Sequence, residues 1–108
     1  MILGKVQVPA SVKAGEPFEV RVLIQHPMET GFRRDLEGRA IPVHIVDKVW
    51  CTLAGREVFR AEFGTGMSAN PYVAFFATAS EGGELVVQWS DDRGDEGRAS
   101  ALVDVSPA

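Results

Sequence analysis

The sequence predicts an all-β fold, an antiparallel sandwich of about seven strands. Three observations carry that prediction. Apolar residues recur at every second position in one segment after another; Gly, Pro, Asp and Asn separate those segments; and no stretch repeats its apolar residues with a helical period. Period-two alternation gives each strand one apolar face, and two sheets packed face to face bury both sets. About seven short strands in 108 residues match the immunoglobulin-like arrangement, although the Cys…Trp…Cys spacing of antibody domains is missing. The chain is read as one domain, residues 1–108.

The alternation begins in Ile2–Val8, and "PASVKAGEP" reads as a turn. Phe18, Val20, Val22 and Ile24 then share one face, with Glu19, Arg21 and Gln25 on the other, as a half-buried strand requires. A polar interruption follows, "HPMETGFRRDLEGRAIP", residues 26–42. In Val43–Leu53 the odd positions Val43, Ile45, Val49, Cys51 and Leu53 are assigned to the core, with a bulge re-aiming Asp47. That assignment leaves Val46 and Trp50 facing outward. "AGRE" turns the chain into Glu57–Phe63, where Phe59, Ala61 and Phe63 align. In Tyr72–Ala79 both faces are apolar: Tyr72, Ala74 and Phe76 oppose Val73, Phe75 and Ala77. Glu84–Ser90 aligns Leu85, Val87 and Trp89, and "DDRGDEG" closes a hairpin onto Arg98–Val105, whose alanines and valines point inward.

Composition narrows the functional classes. A net charge of −4 and a pI near 5.1 argue against a nucleic-acid binder, which presents a basic face. No apolar run approaches the roughly 20 residues a membrane-spanning helix needs, so no membrane role is expected. "MILGKVQVPAS" has no basic segment followed by an apolar one, so no signal peptide is expected. Cys51, the lone cysteine, excludes an internal disulfide.

Catalytic chemistry finds few candidates. His26, His44 and Cys51 are the only histidines and thiol, and a nucleophile needs a base within hydrogen-bond reach. Cys51 lies in "VDKVWCTL", a setting in which cysteine usually acts as a small hydrophobe. With Met28, these residues supply the types of a copper site, but no histidine follows Cys51 as the usual copper loop requires. Iron sites of the superoxide-reductase kind, found on related sandwiches, use four histidines and a cysteine, more than this chain holds. "GTGMSAN" lacks the Lys and helix of a phosphate loop. The expectation is therefore no catalytic residue, no cofactor and no metal; the alternative is a redox or metal-binding sandwich using Cys51 with His26 or His44.

The remaining signals point to a surface that binds. Long ordered loops in compact domains are commonly functional, and Arg33 and Arg34 suit carboxylates, within the loop on Asp35 or Glu29 or on a partner. Strands with two apolar faces suggest either a covering loop or a protein interface. The residues expected to meet a partner are Met28, Arg33, Arg34, Val46, Trp50, Phe75 and Phe76.

Four motifs add a family. "HPMETGFRRD", the following "G-x-x-IP", "V-x-C-T-L-x-G-x-EVF" and "SANPY-x-AFF" resemble the SoxZ family of the bacterial sulfur-oxidising (Sox) system, over about Val6 to Val105. The resemblance implies an immunoglobulin-like, non-catalytic domain that pairs with SoxY, a carrier holding sulfur intermediates on a cysteine of a Gly-rich C-terminal arm. Transient contacts with other Sox enzymes, a periplasmic location reached by co-export with SoxY, and a role in thiosulfate oxidation are implied with it. Isolated, such a chain is expected to self-associate into a homodimer, with an edge strand one route.

Overall fold

Nine strands make up the computed structural model, which describes residues 1–107. In chain order they are β1 (Gly4–Gln7), β2 (Val12–Lys13), β3 (Phe18–Ile24), β4 (Val46–Leu53), β5 (Arg56–Glu62), β6 (Tyr72–Ala77), β7 (Gly83–Asp91), β8 (Glu96–Val103) and β9 (Val105–Ser106). One sheet has the order β1-β3-β6 and the other β5-β4-β7-β8; every pairing in them is antiparallel. The expected immunoglobulin-like sandwich is the fold. Its count exceeds seven because two short strands pair in parallel: β2, inside the expected turn "PASVKAGEP", and β9, split from β8 at Asp104.

Alternation places the core as the sequence predicts in most strands. Val20, Val22 and Ile24 of the first sheet and Val49, Cys51, Leu85, Val87 and Trp89 of the second have essentially no exposed surface. Trp89 is the largest of them, and two glycines make room for it. A Cβ on Gly97 would stand 2.0 Å from the Ile2 carbonyl oxygen and 2.3 Å from Trp89 Nε1; one on Gly4 would stand 2.6 Å from the indole. The indole N–H donates to the Ile2 carbonyl at 3.0 Å, and the Ile2 amide donates to Glu96 at 3.0 Å. These contacts tie β1 to β8 and close one side of the sandwich. On the other side, β5 and β6 each have, among the described residues, a strand partner on one side only.

Two assignments change. The bulge in β4 exists, for the register with β7 steps from Val46↔Asp91 to Lys48↔Ser90 and leaves Asp47 as the extra residue. An extra residue inverts the alternation on one side of it. Val46 therefore turns inward beside Val49 and is completely buried, while Val43 is exposed; Val46 offers no surface to a partner. In β6 the alternation is clean: Phe75 is buried and stacks on Phe59 with centroids 4.0 Å apart. Phe75 too leaves the expected surface, whereas Tyr72 and Phe76 stay exposed, at 55% and 68%.

Candidate functional site

The polar interruption is a built hairpin, a finger standing on a buried base. His26 begins it. Its amide donates to Asn70 Oδ1 at 3.0 Å, and its carbonyl accepts the Asn70 amide at 2.7 Å. Asn70 has φ +51°, a left-handed conformation that Asn adopts more readily than most residues. The His26 ring continues the anchoring: Nδ1 accepts the Met28 amide at 3.1 Å. In the neutral ring this leaves the proton on Nε2, which lies 3.3 Å from Asp91 Oδ2. His44, at the far end of the finger, places its own Nε2 2.8 Å from the same oxygen. The two rings meet edge to face at 4.4 Å.

Asp91 is the shared post. Its Oδ1 accepts the amides of Arg93 and Asp95, each at 2.9 Å. Burial pushes the carboxyl pKa up, but the His44 hydrogen bond, the Asp95 and Arg93 amides and the His26 hydrogen bond outweigh it and hold the pKa at about 2. The group is ionised at neutral pH.

Met28 locks the base from inside. It is 4% exposed, has φ +52°, and its sulfur accepts the Val46 amide at 3.2 Å. Expected as a contact residue, Met28 is instead part of the core, because the left-handed turn aims its side chain under the finger. Above it, Glu29 and His44 exchange backbone hydrogen bonds of 2.8 and 2.9 Å, Ile41 donates to Arg33 at 2.8 Å, and Asp35 to Arg39 at 2.9 Å. Asp35 Oδ1 caps the tip by accepting the amides of Glu37 and Arg39. The Arg33 guanidinium grips Glu29 at 2.6 to 3.2 Å and holds that carboxyl below its usual pKa, with burial opposing. Arg34 donates to the Gly38 carbonyl at 2.9 Å.

So braced, the finger presents Phe32, 88% exposed, and Leu36, fully exposed. The chain is long and narrow, 60 × 19 × 18 Å.

The expected contact residues do not form one patch. Arg33 and Arg34 lie on the finger. Trp50 is half-buried on the outer face of the four-stranded sheet, with the Arg60 guanidinium 6.0 Å from its ring. Phe76 lies on the outer face of the other sheet. Sequence reasoning missed Asp91, Asn70, Phe32 and Leu36. The last two carried a signal, large apolar residues in an otherwise polar loop. Asp91 carried none, since "DDRGDEG" reads as an ordinary hairpin tip.

His26, His44 and Asp91 have ligand atoms within 4.8 Å of one another, near enough for one ion to touch all three. A ligating histidine donates its second ring N–H to a neighbour. The His26 Nδ1 instead receives an N–H, so Nε2 keeps its proton and has no lone pair to give. The set does not fit a metal. Cys51 does not belong to it: the thiol is completely buried and desolvation raises its pKa to about 11.

Fold and site together define an immunoglobulin-like β-sandwich with a pinned hairpin finger at one end. Similar solved structures include a superoxide reductase (neelaredoxin) from Ignicoccus hospitalis, with 22% identity and a TM-score of 0.69 over 95% of this chain and 80% of that one. A putative superoxide reductase from Thermotoga maritima has 18% identity and a TM-score of 0.68 over 97% and 85%. The CARDB domain of a Pyrococcus furiosus protein in complex with di-metal ions has 16% identity and a TM-score of 0.64 over 100% and 94%. At these identities the likeness is one of fold. No curated protein matches the chain. The model of the sulphur oxidation protein SoxZ matches residues 6–102. The chain belongs to that family, and with it to the subunits of the Sox sulfur-oxidation system.

Proposed function

We propose that this chain is the non-catalytic half of a sulfur-carrier heterodimer, binding a SoxY-type protein and steering where its cysteine-bearing arm is shown to the periplasmic Sox enzymes. One observation carries the reading. Phe32 and Leu36 stand in solvent on a finger whose base is fixed by two histidines, an aspartate and a buried methionine. A segment ordered so thoroughly, yet presenting its large apolar side chains outward, is built to be covered by another molecule. Arg33 and Arg34 brace it and keep free donor positions for a partner's carboxylates. Trp50 adds a second, flatter aromatic contact.

The test is co-purification with a SoxY-type chain and titration calorimetry of the pair. Leu36→Asp and Phe32→Asp are expected to leave the melting temperature unchanged and to weaken the complex at least tenfold. Wild-type affinity in both variants would remove the finger from the interface. Failure of the wild-type chain to bind the carrier, or its recovery outside the periplasm on cell fractionation, would remove the function itself.

A further inference from the structure

We infer that the free edge of β6 is a homotypic docking strand, pairing antiparallel with β6 of a second copy of this chain. Alternate residues of an antiparallel strand turn both backbone groups toward the same neighbour. The Ile24 amide donates to the Pro71 carbonyl, and β3–β6 pairs Val22 with Val73, Val20 with Phe75 and Phe18 with Ala77. In that register the odd-numbered residues bond β3. The N–H and C=O groups of Tyr72, Ala74 and Phe76 point away from it, toward an edge with no strand beside it among the described residues.

Open edges are ordinarily guarded by charge. β5, the other edge on this side, is guarded: Arg56, Glu57, Arg60 and Glu62 lie along it. Residues 71–80, "PYVAFFATAS", contain no charged residue at all, and short uncharged apolar strands are those that pair with other chains.

The sequence of the edge selects the occupant. A two-fold axis through Ala74 sets Ala74 opposite Ala74 and Tyr72 opposite Phe76 twice. Every outward residue then meets an outward residue, and Val73 meets Phe75 on the core side, so the two three-stranded sheets become one without a register conflict. The exposed aromatics pair across the seam, the arrangement that stabilises antiparallel strands. A two-fold contact requires such self-complementarity. The edge meets this requirement with no charge to repel its own image.

The inference does not depend on the heterodimer reading. Sedimentation velocity of the full chain, from low to high micromolar, is expected to show a monomer–dimer equilibrium. Ala74→Pro deletes an N–H that faces only the free edge, so the β3–β6 ladder survives and the protein is expected to stay monomeric throughout. Phe76→Lys, at an exposed side chain, is expected to weaken the dimer at least tenfold. In hydrogen exchange, the amides of Tyr72, Ala74 and Phe76 should gain protection as concentration rises. A wild-type chain that remains monomeric overturns the inference, and so does a dimer that both variants retain. Protection of these amides only when a carrier partner is added also overturns it and assigns the edge to that partner.

Discussion

Asn70 and His26 hold each other twice, carbonyl to amide at 2.7 Å and amide to side-chain oxygen at 3.0 Å. They come from the "SANP" and "HPM" stretches, far apart in the chain, and together seat the finger on the sandwich. The finger's fixity therefore depends in part on residues outside it, Asn70 and Asp91, and several consequences can be measured.

Asp91→Asn removes the charge that both histidines face. Losing charge-assisted hydrogen bonds at a buried site costs about 1–3 kcal/mol, to be read from urea unfolding. Native-state hydrogen exchange at Glu29 and His44 should accelerate more than in the core strands, because the base of the finger opens first.

The same carboxylate sets an acid limit. Its pKa is depressed in the folded protein, from 3.8 to about 2. Its contribution is therefore full above about pH 4 and disappears as pH falls through 2. The gap corresponds to about 2 kcal/mol. Unfolding free energies measured from pH 5 to pH 1 should show this loss in the wild type and not in Asp91→Asn.

Gly97→Ala tests the seat of Trp89. The new methyl group has no room between the Ile2 carbonyl and the indole, and a forced shift at both is expected to cost about 3 kcal/mol. Thermal melts report the loss, and a weakened near-ultraviolet tryptophan signal would place it at Trp89.

Cys51 should be inert while the protein is folded. With its thiol pushed up to about 11 and no exposed surface, labelling at pH 8 is expected to be at least about 100-fold slower than for free cysteine. Urea should abolish the difference. Rapid labelling of the native chain would mean that the strand opens.

Trp50→Ala separates surface from core. On a half-buried outer face the truncation is expected to cost under about 1.5 kcal/mol of stability but to weaken the proposed carrier complex at least tenfold, as buried aromatics at interfaces do. Unchanged affinity together with a large loss of stability would make Trp50 a packing residue.

The strands with one clean apolar face, β3 and β7, were legible because alternation alone decides which side is buried. β4 was not legible in full. A bulge at Asp47 was readable, but which flank it inverts depends on pairing with β7, and Val46 was placed on the wrong side for that reason. In β6 both faces are apolar, so nothing local tells Phe75 from Phe76; Phe59, arriving from the opposite sheet, does. The finger's position was plain in composition. Its hairpin form was not, because Asp91 closes β7, three whole strands further on, and the roles of His26 and Met28 appear only once His44 and Val46 are beside them.

Because both ends of the finger are fastened to one carboxylate, the part of it beyond the Glu29–His44 pair is insulated from the sandwich. Closing a longer segment costs little more than closing a short one, about 0.6 kcal/mol for each doubling. Residues between Arg33 and Ile41 can thus be added or removed without disturbing a core strand. Reach is in this way uncoupled from folding, and relatives that keep His26, His44 and Asp91 are free to differ in how far the tip extends.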